Sequence, residues 1–209
     1  MTTTLDALGA NDPSIRLRAA LAVGTDPDPA LLDALVGRCA VEPDFYVRDM
    51  LTWALTRLPA ADTAARLLRE LDSELPQARS QALHTLSKIG DRSTAPAVAA
   101  LLHDPHDEVA RSAWRAAVAL VSDGDEAALA TELAAELGRG DHDLQRSLSR
   151  ALVALGEESV PILDAAAAAG SPARRAHAEA TLRLHSDPDS AFTLSVEAAK
   201  RVAMIGSDQ

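Results

Sequence analysis

The chain has 209 residues, 47% of them apolar but only 2% aromatic, and a net charge of −11. So few rings weigh against sandwiches, barrels and doubly wound sheets, while a core of Ala, Leu and Val suits closely spaced helices. The acidity repels phosphate backbones at long range and argues against nucleic acid as a general partner.

In chain order, Met1-Thr-Thr-Thr-Leu-Asp6 lacks the basic and apolar regions of a leader peptide. The first amphipathic segment follows Asp12-Pro13, where Asp caps a helix and Pro occupies its first turn. Cys39 is the lone cysteine and sits in an apolar helix end, so no internal disulfide forms and a reducing, cytoplasmic setting is expected. Residues 42–55 then hold Phe45, Tyr46 and Trp53, three of the five aromatic residues. Further on, Gly90 and Gly156 mark helix stops, and Pro96 and Pro161 each lie 13 residues before the next repeat start. Asp104-Pro105 and Ser171-Pro172 repeat the capping step seen at Asp12-Pro13. The longest bland run, Ala165 to Ala169, is too short to cross a bilayer, so no membrane association is expected.

Self-comparison orders these pieces. Six segments begin at Ile15, Val47, Ala78, Val109, Leu144 and Arg174, at intervals of 32, 31, 31, 35 and 30 residues. Four residues on stand Ala19, Leu51, Ala82, Ala113, Leu148 and Ala178; eight on stand Val23, Leu55, Leu86, Ala117, Leu152 and Leu182. Offsets of 0, 4 and 8 form one buried helical stripe, so each segment is the second helix of a pair. Second helices are predicted to start near residues 13, 44, 76, 107, 142 and 172, with a capping helix over about 188–205, all within a single domain of residues 1–209.

Arg usually follows the segment start, as at Arg16, Arg48, Arg79 and Arg175, and Asp12-Pro-Ser-Ile-Arg-Leu-Arg-Ala19 carries the full motif. Gln77-Ala-Arg-Ser-Gln-Ala-Leu-His-Thr-Leu-Ser-Lys-Ile-Gly90 follows the same second-helix pattern. This arrangement resembles the HEAT-repeat family, in particular the short bacterial type whose repeats also occur in phycobilin lyases. Ala110 and Gln145 replace the usual Arg in repeats four and five. The resemblance implies an all-α, right-handed solenoid of about six helix pairs, with the second helices lining its concave side. A lone helix pair cannot bury its apolar face, so stacking is required independently of that likeness.

Offsets 2 and 6 point away from the buried stripe and towards such a groove. They place Asp49, Trp53, His84, Arg111, Arg115, Arg146 and Arg150 there, and Trp114 beside the arginines as an aromatic wall. Four arginines on one face read as an anion-recognising patch, and Trp53 reads as either an interface anchor or a packing residue. The His103–Glu108 run has the composition of a metal cluster, but its acids sit in an inter-helix turn where repeats use Asp for capping, so neither metal nor cofactor is expected. No catalytic signature is present. The expectation is a non-enzymatic scaffold or adapter for another protein, with an acidic or phosphate-bearing partner. A DNA-binding protein similar to the HEAT-like alkylpurine glycosylases is the alternative.

Overall fold

Proline sets several of the helix starts. Its fixed φ fits the first helical turn, and its missing N–H is an orphan there in any case. In the computed structural model, which describes residues 4–187, Pro13, Pro76 and Pro172 open three helices, and Asp12 and Ser171 cap two of them through Ser14 N (2.8 Å) and Arg174 N (3.4 Å). The expected capping helix over 188–205 lies outside the described residues.

Among the described residues the regular elements are helical. They are α1 (Thr4–Leu8), α2 (Pro13–Thr25), α3 (Leu32–Val41), α4 (Phe45–Thr56), α5 (Ala60–Glu70), α6 (Pro76–Ile89), α7 (Ala95–Ala99), α8 (Asp107–Leu120), α9 (Glu126–Ala134), α10 (His142–Ala154), α11 (Val160–Ala169) and α12 (Pro172–Ser186). This is the helical-pair architecture of an α-solenoid, with short first helices (odd numbers) alternating with second helices (even numbers). Pro96 and Pro161 both fall in the first turn of a first helix, each following a 3₁₀ turn. Gly90 ends α6 at φ +76°, a conformation that a side chain disfavours.

Packing divides the chain into two compact units, Met1–Ser122 and Asp123–Gln209, where the sequence reading takes one domain. In the first, α2 packs on α4, α4 on α6 and α6 on α8, while α3 and α5 cover α6 from the other side. In the second, α11 and α10 both pack on α12. The four-on positions of all six repeats are buried. The start positions are less uniform, since Ile15 is exposed and Arg174 half-buried where the chain has fewer neighbours to cover them.

In the first three repeats the arginine that follows the repeat start is a structural clamp. Arg16 Nη1 donates to the carbonyls of Ala10 and Asn11 (both 2.8 Å), Arg48 Nη1 to those of Glu42 (2.9 Å) and Pro43 (2.8 Å), and Arg79 Nη1 to Ser73 O (2.6 Å). These are the carbonyls left without helical partners just before each second helix. Gln145 repeats the contact in the second unit, its Nε2 donating to Gly140 O at 3.1 Å. Two of the clamps also reach a carboxylate at the end of the next first-helix segment: Arg16 reaches Glu42, and Arg79 reaches Asp104.

The Asp104-Pro105 step does not start a helix as the sequence suggests. Helix α8 begins at Asp107, and Asp104 is buried beneath Arg79, with Oδ1 accepting from His106 N at 2.8 Å. In the second unit, the turn after α9 is tied down by Gly138 N–H, which donates to His177 Nδ1 at 3.0 Å.

Candidate functional site

Helices α4, α6 and α8 enclose an open cleft of about 270 Å³. From α4 come Phe45, Arg48 and Asp49; from α6 come Ser80, Gln81, His84 and Ser87; and α8 adds Glu108, Arg111, Ser112 and Arg115. The structure therefore brings the expected Asp49, His84, Arg111 and Arg115 together around one cavity. It also shows why: successive second helices pack side by side, so their offset-2 and offset-6 columns align.

Each polar side chain has a distinct environment. Burial pushes the His84 imidazole below its ordinary value of 6.5; nearby Lys88 and Arg115 add to this and Asp49 opposes it, so the ring is neutral at pH 7. Ser80 of α6 and Ser112 of α8 share a hydrogen bond at 2.9 Å, which joins the two helices at the cleft. Arg111 is half-buried, and its Nε–H is covered without an acceptor.

At the mouth, Phe45 and Tyr46 form an edge-to-face pair with centroids 5.6 Å apart and planes at 78°. The Arg48 guanidinium lies 6.0 Å from the Phe45 centroid. Both rings are largely exposed, at 65% and 72%, although apolar side chains of this size are ordinarily covered.

Two aromatic expectations resolve differently. Trp53 stays 38% exposed, yet its ring sits on Gly24 of α2 so closely that a Cβ there would collide with it. It is thus both packed and presented to solvent, two turns along α4 from Phe45. Trp114 is fully buried, and its indole N–H donates to Leu102 O at 2.9 Å. It is no groove wall, and the reading of it as a cation–π partner for a ligand patch is corrected. Offset 5 is a core position in the first five repeats, as the burial of Ala20, Thr52, Leu83 and Ser149 also shows, while Glu179 of the sixth is exposed.

Arg146 and Arg150 belong to α10 in the second unit, where both are exposed. Arg146 Nη2 lies 3.5 Å from His142 Nδ1. Glu42 opens the aromatic stretch of residues 42–55, and the structure buries it completely. Its carboxylate accepts from Arg16 Nε and Nη2 and from Arg38 Nε (all 2.7 Å) and from Asp44 N (2.9 Å). Burial raises the pKa of that carboxyl, but the donors from Arg16, Asp44 and Arg38 outweigh it and bring the value down to about 2. The signal for this was the unpaired clamp arginine 26 residues earlier.

No curated protein matches the chain. Among solved structures, the CpcE–CpcF complex of phycocyanin lyase from Nostoc sp. PCC7120 superposes with a TM-score of 0.50 at 21% identity, over 87% of this chain and 75% of that one. Two engineered proteins give TM-scores of 0.47 and 0.49 at 18% and 15% identity, over 88% and 86% of this chain and 95% and 96% of theirs. At such identities the likeness to the lyase complex speaks for the fold alone. The family model of HEAT repeats matches residues 38–119, which contain α4, α6 and nearly all of α8, the three helices around the cleft. Over those residues, less than half of its length, the chain is similar to HEAT repeats.

Proposed function

We propose that this protein is a non-enzymatic scaffold or adapter that captures another protein on the exposed side of its second helices, with an acidic or phosphate-bearing segment as the bound element. One observation carries the reading: a polar, arginine-lined cleft has exposed Phe45 in its wall, on the helix that also presents Trp53, in a protein of net charge −11. Desolvated aromatics next to arginines are the residue types that dominate interface energies. The match of residues 38–119 to HEAT repeats supports the same reading, since such repeats present extended binding surfaces. In the second unit, Arg146 and Arg150 are further exposed cations for the same role. The DNA-glycosylase alternative draws no support from the comparisons. One of its two tryptophans, Trp114, is buried, and two of the cleft's lining residues are acids.

The test is affinity capture from a native lysate, comparing wild type with Leu21→Glu/Trp53→Ala, which alters exposed apolar side chains of α2 and α4, and with Arg111→Glu/Arg146→Glu. A protein enriched by wild type and lost from both variants, with their helical content unchanged, is the expected result. Equal capture by all three would remove the second-helix surface from consideration.

A further inference from the structure

Arg111 differs from the other half-buried arginines of the first unit. Arg38 and Arg66 have carboxylate partners, Arg79 has Asp104, and Arg48 is held by two backbone carbonyls. Among the described residues, neither a hydrogen bond nor an ion pair holds Arg111, and its Nε–H is covered without an acceptor. A buried donor left unpaired is an unfavourable arrangement that an incoming acceptor relieves. The guanidinium therefore gives up no hydrogen bond when it turns towards an incoming acceptor.

The surroundings limit what that acceptor is. Three arginines (Arg48, Arg111, Arg115) line the cleft against two carboxylates (Asp49, Glu108), so the lining carries one excess positive charge while His84 is neutral. One carboxylate neutralises that excess, whereas a phosphate dianion overshoots it and meets Asp49 and Glu108. The Ser80–Ser112 pair adds a second donor. Within a hydroxyl–hydroxyl bond only one hydrogen is used, and the other remains available to a ligand oxygen. Beside these groups, Phe45 offers an apolar shelf at the mouth.

We propose that the cleft between α4, α6 and α8 is the receptor for a glutamate or aspartate side chain of the protein partner. Arg111 grips the carboxylate as a two-pronged donor, a serine hydroxyl supports it, and Phe45 holds an apolar neighbour of the acidic residue. This rests on the scaffold reading above and narrows it to one kind of recognition element: a carboxylate, not a phosphate, flanked by an apolar side chain.

The test titrates the full chain with the peptide acetyl-Leu-Glu-Phe-amide. Arginine Nε–H and backbone amide resonances are followed by NMR, alongside the glutamine version of the peptide and inorganic phosphate. The expected result is saturable shifts centred on Arg111 and Ser112, with the glutamine peptide and phosphate each at least about tenfold weaker, a factor of ten being about 1.4 kcal/mol. Arg111→Gln should abolish the shifts. Arg111→Lys, which keeps the charge but loses the planar fork, should retain weak binding. Equal binding of the glutamine peptide, tighter binding of phosphate, undiminished binding to a folded Arg111→Gln variant, or no shift at all would each overturn the carboxylate site. Lysate capture by wild type and its loss in Leu21→Glu/Trp53→Ala judge the scaffold reading separately, because neither residue lines the cleft.

Discussion

Arg16 and Glu42 meet fork to fork, Nε to Oε2 and Nη2 to Oε1 both at 2.7 Å, although 26 residues separate them and neither is exposed. Arg38 and the Asp44 amide take up the remaining acceptor capacity of that carboxylate, and Gln77 Nε2 and Arg48 Nη1 both donate to the Glu42 carbonyl. A single glutamate thus ties together α2, α3, α4 and α6. Replacing it with Ala leaves Arg16 buried without its counter-charge, which costs about 3–5 kcal/mol. Glu42→Gln keeps part of the hydrogen bonding and should fall between wild type and Ala. Chemical denaturation of the three proteins checks the order, and a Glu42→Ala variant as stable as wild type would contradict it.

The same group sets an acid limit. Its carboxyl is held at about 2 against an ordinary 4.5, so the unfolded chain binds this proton before the folded one does. Its stabilising contribution is complete above about pH 4.5 and disappears as the pH falls towards 2. In the second unit His177 acts earlier. Its Nδ1 accepts from Gly138 N–H, which leaves the proton on Nε2, facing Gln145 O and Ser149 Oγ, both at 3.0 Å. Burial lowers its pKa below 6.5, partly opposed by the Gln145 carbonyl, and protonating Nδ1 would set one N–H against another. Stability from this group is complete above about pH 6.5 and declines below it. Residue-resolved hydrogen exchange between pH 7 and 5 should show the Gly138 and α12 amides losing protection while the amides around Glu42 keep theirs. Loss of protection around Glu42 first would reverse the assignment.

Two glycines predict opposite outcomes for one substitution. Gly37 lies inside α3 with open space around its Cα, so Gly37→Ala should stabilise the protein by about 0.4–1 kcal/mol. Gly24→Ala should destabilise it, because the new methyl collides with the Trp53 ring. Trp114 is shielded in both variants, so a fluorescence change in Gly24→Ala reports the displacement of Trp53 from its seat. An unchanged spectrum with raised stability would show that the ring does not depend on Gly24.

The neutral His84 adds a pH dependence to ligand capture. Protonation places another positive charge at the cleft, and a bound carboxylate favours that protonation. Affinity for the acidic peptide should therefore rise between pH 7 and 5.5 in wild type and stay nearly flat in His84→Gln. Parallel titrations of the two proteins decide the point.

Much of this was legible in the sequence, since a helical pair has a period that survives divergence of its residues. The stripe through Ala19, Leu51, Ala82, Ala113, Leu148 and Ala178 is buried throughout, and the outward positions of α4, α6 and α8 converge on one cleft. Three features were not legible. Trp114 sits between Arg111 and Arg115 in the sequence but is turned into the core, which the column Ala20, Thr52, Leu83, Trp114 and Ser149 reveals only when it is read across repeats. The burial of Glu42 has no local sign in the sequence, because carboxylates rarely enter a core and this one depends on an arginine one repeat earlier. The pairing of Ser80 with Ser112 depends on the spacing of two packed helices, which no local pattern encodes.

The clamp arginines also bear on how such a chain changes length. Arg16 and Glu42, and Arg79 and Asp104, lie 26 and 25 residues apart, short of the full repeat interval, so each pair straddles a repeat boundary. Deleting a repeat-length stretch that begins between Arg16 and Glu42 would remove the carboxylate and strand the guanidinium. Duplicating a segment that contains both residues would instead carry a finished joint with it. The heritable module here is therefore the junction of two repeats, and gains or losses of repeats should have breakpoints outside the span from an arginine to its acid.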